Sequence, residues 1–344
     1  MAIYRDPSIR PSLEPHRYHI QDHERQFFLL LTGIKDDQQL RGHILAVQQK
    51  AYQVHTILFQ FTSAHPLQDP QLRLHPSFFF HQVYPFPIQY SIAHSTRLKI
   101  AQIPGYYNAL KLLDKRTDPI LLDLGCCFGN DIRKAVVDGW PVQNVIASDL
   151  RQEFWDAGHE LFKSTPESFP AAFIAGDIFD PSMLDIDIDI APTPTDNDIR
   201  PLTSLTTLTP LKHRVSAIHA SSFFHLFNED QQRLLALRLA ALLLPERGSI
   251  IFGQHGARPE KGFRIEVAAN SSADAEPNPT KHAMFCHSPA SWKHLWEQDI
   301  FGPHQPTRVR VDAELQETTN ERWDFEDLGT NLKVYVMNWS VEVI

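Results

Sequence analysis

The sequence predicts an α/β protein: a three-layer, doubly wound sheet preceded by an N-terminal helical region. Three observations carry this. Short apolar runs alternate with segments of helical spacing from about residue 120 onward. The first run, Ile120-Leu-Leu-Asp-Leu124, ends in a glycine-bracketed turn, Gly125-Cys-Cys-Phe-Gly129, that opens directly into a helix. Later runs end in acids, at Asp149 and Asp177, where an open α/β sheet presents its ligand-binding residues.

The elements follow in order. Gly125 and Gly129 permit backbone angles and close approaches that a side chain forbids, and Asn130 and Asp131 supply acceptors for the first turn of a helix over Ile132–Asp138. Gly139 suits its left-handed cap. Val145-Ile-Ala-Ser-Asp149 reads as the second strand, Ala172-Phe-Ile-Ala-Gly-Asp-Ile178 as the third and Val215 to Ser222 as the fourth. Phe223-Phe-His-Leu-Phe227 is the loop after it. Asn228 as cap, Glu229 and Asp230 in the first turn, apolar Leu234, Leu237, Ala241 and Leu244, then Pro245 and Gly248, outline a complete packing helix. Ser249–Gln254 is a fifth strand, Ser288–Asp299 a further helix, and Arg308–Val311 and Leu332–Met337 the last strands. Ahead of the sheet, Phe27–Leu31 and Leu40–Tyr52 read as helices forming a lid. Tyr84–Ile88 and Ile103–Tyr107 read as an extended link into a short helix over Asn108–Leu113.

Asp123 bears on the ligand. A dinucleotide fold presents G-x-G-x-x-G and rests a pyrophosphate on the helix N-terminus. Here Cys127 and Asn130 occupy the second and third glycine positions. A carboxylate just before the first glycine repels phosphate and suits the ammonium and sulfonium of S-adenosylmethionine. Asp149 lies about 20 residues past the turn, the spacing at which an acid reaches ribose hydroxyls.

These residues resemble a known family. Leu121-Leu-Asp-Leu-Gly-Cys-Cys-Phe-Gly-Asn-Asp-Ile-Arg-Lys134, Asp138-Gly139, Ser148-Asp-Leu150 and Ala220-Ser-Ser-Phe-Phe-His-Leu-Phe227 look like class I S-adenosylmethionine-dependent methyltransferases, in particular the fungal enzymes of meroterpenoid and polyketide pathways. The resemblance covers roughly residues 84 to 344 and part of the N-terminus. It implies a Rossmann-like methyltransferase sheet, S-adenosyl-L-methionine as cofactor, and a small apolar natural product as substrate, methylated on a carboxyl or phenol oxygen. Within it, Asp123, Leu124, Gly125 and Gly129 hold the methionine end, Asp149 and Leu150 the ribose, Asp177 and Ile178 the adenine, with Ser221 at the fourth strand's tip. No Asn/Asp-Pro-Pro-aromatic signature follows that strand, which favours oxygen as the acceptor. His225 is the candidate catalytic residue, a base for a phenol or a hydrogen-bonding partner that takes no proton; a carboxylate acceptor needs no base. His219, inside the strand, reads as structural. Phe223, Phe224 and Phe227 line the acceptor or fill core.

Composition sets further expectations. A net charge of -9 and the absence of Lys/Arg runs speak against nucleic acid. Leu234–Leu244, the longest apolar run, is interrupted by Arg238 and too short for a bilayer, and Met1–Arg10 lacks a signal-peptide core, so a cytoplasmic protein without membrane contact is expected. A homodimer is left open. Adjacent Cys126 and Cys127 read as small fillers behind the turn. Among 18 histidines, only His282, Cys286 and His287 tempt a zinc reading, and they lack a fourth ligand; no metal is expected. Trp292 and Trp296 read as core. Residues 1–83 are expected as a lid region and 84–344 as the methyltransferase domain. Within the former, 55–82 forms an insertion rich in Phe, His and Pro, read as a stretch without a role, such as sequence translated across a misplaced exon boundary, rather than a gating loop. Asp185–Lys212 reads as a surface excursion. Two other functions stay in view: a methyltransferase-fold binding protein without turnover, and a nicotinamide oxidoreductase, against which the glycine pattern speaks.

Overall fold

A computed structural model of the protein describes residue 18 and residues 20–64, 96–187, 199–265, 283–318 and 333–344. The helices are α1 (Asp22–Thr32), α2 (Asp37–Ala64), α3 (Pro104–Leu110), α4 (Leu112–Lys115), α5 (Asn130–Val137), α6 (Gln152–Leu161), α7 (Glu229–Leu242) and α8 (Pro289–His294), the last continued by a π-turn over Leu295–Ile300. The strands are β1 (Ile120–Leu124), β2 (Val145–Asp149), β3 (Ala172–Ala175), β4 (Val215–His219), β5 (Ile250–Ala257), β6 (Gly262–Ile265), β7 (Ala283–Cys286), β8 (Val309–Thr318) and β9 (Val334–Val343). Strands and helices alternate as the sequence predicts, and the fold is α/β with one seven-stranded, mostly parallel sheet and a separate β6-β7 pair.

The described residues divide into two compact units. One comprises Lys99–Leu124 and Leu211–Ile344; the other runs up to Leu98 and resumes over Gly125–Pro210. In the first, β1 pairs in parallel with β4 and β4 with β5, and in the sheet order β3-β2-β1-β4-β5-β9-β8 the chain skips across β1 on passing from β3 to β4, reversing its direction of travel. That skip is the mark of a doubly wound sheet. β9 then runs antiparallel to both β5 and β8. α3 lies hard on this sheet: a Cβ on Gly105 would stand 2.7 Å from Phe252 Cβ. Around Phe224, the rings of Trp292, Trp296 and Trp339 pack edge to face and that of His255 is tilted, with Phe224 and Trp292 centroids 4.9 Å apart. Trp292 and Trp296 are fully buried.

In the second unit, β2 and β3 pair in parallel. The helix pair expected as a lid is held to α6. Phe27 and Phe28 meet Phe162, the latter stacked at 5.1 Å, and Leu40, Ile44 and Val47 join the same buried cluster. Glu24 is buried yet satisfied, accepting from the backbone N–H of Gln21 and of Leu98. Trp155 stacks on Phe173 at 5.0 Å, and the Arg133 guanidinium sits over the rings of Trp155, Phe162 and Phe169. Burial pulls that guanidinium down to about 9.

Several expectations change. α2 runs on to Ala64, past the expected end at Tyr52 and into the supposed insertion, because nothing after Gly42 breaks a helix before Pro66; residues 65–82 lie outside the described residues, as do the 83/84 boundary and the Tyr84–Ile88 link. Ile103–Tyr107 is mostly helix rather than extended, since Pro104 at the first helical position presets its φ. Asp185–Lys212 is more than a surface excursion. Residues 188–198 are not described, but Ile199, Leu202, Leu208 and Leu211 are buried, and the Leu208 N–H donates to Met183 O at 2.8 Å. β8 and β9 are longer than expected, each supplying the other's backbone partners from Val309↔Val343 to Thr318↔Val334. The β6-β7 pair had no sequence expectation, its strands being too short to show periodicity.

Candidate active site

The second unit builds the turn after β1. Gly125, Cys127 and Gly129 all have positive φ, at 72°, 51° and 71°. Only glycine adopts this region at little cost, so Cys127 is held there by its surroundings. Its N–H donates to Asp149 Oδ2 at 2.9 Å, and Gly125 N–H donates to Ser148 O at 2.8 Å. The turn is thereby tied to the end of β2. Asp149 Oδ1 accepts from Arg151 N–H at 3.1 Å, a local Asx turn that orients the carboxylate. Leu150 beside it is 37% exposed. β3 stops at Ala175, so Asp177 and Ile178 lie in the turn beyond it. Gly176 N–H donates to Asp149 O at 3.0 Å, and Asp177 Oδ1 accepts from Phe179 N–H at 2.9 Å. The acids of β2 and β3 therefore sit on hydrogen-bonded neighbouring turns. Cys126 is buried and Cys127 partly so, and neither is in a disulfide.

The first unit brings Asp123 and Ser221 together through a residue read from sequence as structural. Asp123 is 2% exposed, and its Oδ1 lies 2.8 Å from His219 Nδ1. His219 Nε2 lies 2.7 Å from Ser221 Oγ, which also accepts from Gln254 N–H at 3.2 Å. Gln254 in turn donates to Asn338 Oδ1 at 2.7 Å. Asp123 Oδ2 is buried and has no hydrogen-bond partner among the described residues. Leu124, next to it, is buried. The one signal for His219 in the sequence is its place at the end of its strand, like Asp123; the pairing itself is a matter of sheet register.

His225 belongs to the same unit and is buried, with its Nδ1 accepting from Gly256 N–H at 3.3 Å. Burial, with the charges of Arg264 and Lys99 adding to it, pushes this imidazole down to about 3. It is neutral at ordinary pH, and with Nδ1 accepting, the proton sits on Nε2. Of the three phenylalanines in its loop, Phe224 and Phe227 are buried and Phe223 is partly exposed. Among the described residues no cluster of His, Cys, Asp or Glu could hold a metal ion; His282 of the zinc reading is outside them. No described helix is long and apolar enough to cross a membrane.

Comparison with known proteins bears on these features. Residues 13–58 match the meroterpenoid methyltransferase N-terminal domain. The chain resembles fungal pathway methyltransferases. The O-methyltransferase phiE of a fungal species is 30% identical over 220 residues, which cover 63% of this chain and 60% of that protein. The O-methyltransferase atr3 of Stereocaulon alpinum is 27% identical over 71% of this chain and 60% of its own length. The Asnovolin E/Chermesin D methyltransferase nvfJ of Aspergillus novofumigatus is 28% identical over 58% of this chain. The matched stretch thus spans about 60% of the length of these relatives. Among solved structures, the plantazolicin methyltransferase BpumL in complex with S-adenosylhomocysteine aligns over 94% of this chain and 98% of its own at 13% identity, with a TM-score of 0.39.

Proposed function

We propose that the protein is an S-adenosylmethionine-dependent O-methyltransferase acting on a small apolar molecule of fungal secondary metabolism. The observation that carries the reading is Asp123 Oδ2, a buried carboxylate oxygen without a partner among the described residues. Leaving such a group unsatisfied costs on the order of 1–3 kcal/mol or more, so a cationic ligand is its natural complement. An ammonium fits that place and a pyrophosphate does not. The relatives, O-methyltransferases at about 30% identity, support the same donor.

In this reading each unit contributes what it presents by itself. Asp123, with Leu124, takes the amino acid end of the cofactor, and Gly125 and Gly129 shape the turn that follows β1. Asp149, aligned by two backbone N–H groups, takes the ribose hydroxyls, with Leu150 beside it, while Asp177 and Ile178 serve the base. When bound, S-adenosylmethionine supplies an electrophilic sulfonium methyl for in-line displacement. The chain then needs to align the acceptor and exclude water.

The state of His225 bears on the acceptor. A neutral ring with its proton on Nε2 donates a hydrogen bond but does not remove a proton, so His225 orients the acceptor oxygen rather than serving as a base. A carboxylate, ionised at neutral pH, suits this arrangement better than a phenol.

Calorimetric titration of the pure protein with S-adenosylmethionine tests the cofactor: saturable binding is expected, and its absence from folded protein would remove the reading. Incubation with labelled methyl donor and paired acids and phenols of the same carbon skeleton tests the acceptor. Transfer to the acid should dominate, and preferential transfer to the phenol would return the base role to His225.

A further inference from the structure

The chain Asp123–His219–Ser221 has no counterpart among the roles assigned above. Its geometry depends on an irregularity. Ile120 pairs with Val215, but Leu121 pairs with Ala217, so the register between β1 and β4 slips by one residue. Without the slip Asp123 would face Ile218; with it, Asp123 is opposite His219. Because side chains alternate between the faces of a sheet, a one-residue slip exchanges one face for the other.

The hydrogen bonds run in series from the carboxylate to the hydroxyl. The Asp123 carboxylate accepts at Oδ1 from His219 Nδ1–H, and a neutral ring then accepts at Nε2 from Ser221 Oγ–H. The remaining lone pair of Ser221 takes the Gln254 N–H, and the Gln254 side chain is fixed in turn by Asn338. Rotation of the Asp123 carboxyl would strand a buried imidazole N–H, so the two carboxylate oxygens are inequivalent: Oδ1 is spent inside the protein and Oδ2 is left over.

We infer that His219, anchored by Ser221, is a positioning residue that locks Asp123 so that Oδ2 alone is presented to the ammonium of the cofactor. This rests on the reading that Asp123 takes that ammonium. Ser221 then acts through His219 rather than by touching the cofactor. A rigid acceptor selects for an amino group at one place, because the ordering cost has been met before binding.

The test uses S-adenosylhomocysteine and its desamino analogue, in which hydrogen replaces the amino group, titrated calorimetrically into the full-length chain and its variants, with thermal melts to verify folding. Wild type should bind the amino-bearing ligand about tenfold tighter or more, as expected for a charge-assisted hydrogen bond. Asparagine places its amide nitrogen where His219 Nδ1 lies, and glutamine places its own where Nε2 lies. His219→Gln should therefore abolish most of that preference while leaving the analogue's affinity unchanged, and His219→Asn should retain it. Ser221→Ala should reduce the preference by a few-fold. Equal losses for both ligands in His219→Gln would indicate a merely structural histidine and overturn the inference, as would an undiminished preference. Where His219→Gln does not fold, Ser221→Ala decides: an unchanged preference overturns the inference and a reduced one supports it. If wild type itself does not discriminate between the ligands, the ammonium reading of Asp123 falls first, and the role of His219 with it.

Discussion

Asp149 performs two tasks with one carboxylate. It accepts the N–H of Cys127, which stands at positive φ, and the N–H of Arg151. Asp149→Ala is therefore expected to weaken S-adenosylmethionine binding by about 1–3 kcal/mol and also to loosen the turn. Calorimetry would register the first effect and a lowered melting temperature the second; unchanged affinity would place the ribose elsewhere. Gly129 is constrained from another side. With φ at 71°, an added Cβ would meet Trp155 Cζ3 at 2.6 Å and Arg133 Nη1 at 2.7 Å. Left-handed strain of about 1–2 kcal/mol and displacement of a packed indole add together in Gly129→Ala. A drop of several degrees in melting temperature should follow, and a melting curve like that of wild type would show the turn to be soft.

At the scale of elements, α7 illustrates a local code that folds as written. The Asn228 side chain accepts from Gln231 N–H at 2.9 Å, and the Gln231 side chain accepts from Asn228 N–H, a reciprocal capping box. Asn228→Ala should cost about 1 kcal/mol, visible as a lower melting temperature in scanning calorimetry without a change in cofactor affinity. The helix carries Gln232 inward, where its amide donates to Phe227 O and Phe285 O. It thus ties the loop containing His225 to β7. α8 behaves differently. Ser288 caps it, but its last turn widens into a π-turn over Leu295–Ile300, beside the rings that Trp292 and Trp296 place in the core. No local rule anticipates that widening; it belongs to the packing.

At the scale of the molecule, three buried histidines make the fold acid-sensitive. Burial above all pushes His225 down to about 3 and His287 to about 4, and lowers His255 well below its ordinary value. Their unfolded value is 6.5. Above that pH neither state binds the proton and nothing is lost. As pH falls through 6.5, the unfolded chain takes up protons that the folded protein refuses until about 4 for His287 and about 3 for His225. Stability should decline throughout this window, by up to about 1.4 kcal/mol per pH unit for each histidine. Melting temperatures measured between pH 8 and pH 4, a span chosen around these values, should be level at the top and fall steadily below the histidine range. His255→Phe should flatten the slope, and an equally steep decline in that variant would assign the acid sensitivity to other groups.

Much of this was legible without coordinates. Strand positions, the glycine turn, the Asn228 cap and the acids at or just past the ends of β1, β2 and β3 all depend on periodicity, on backbone angles and on acceptors a few residues apart. Such local rules are written in consecutive residues. α2 runs past Tyr52 because no breaker stands there, and Pro104 begins a helix where the sequence predicts an extended link. The alternation of strands with helices, and the match of the fold to its class, came from the chain alone. The partner of Asp123 did not. His219 lies 96 positions away, and it faces Asp123 only because two parallel strands slip by one residue at Ile120. Likewise, His225 as a ring with a filled Nδ1, and the burial of Leu202 and Leu208, rest on neighbours from other elements. Register, burial and the direction of a hydrogen bond are properties of pairs brought together by folding, and those the tertiary structure alone decided.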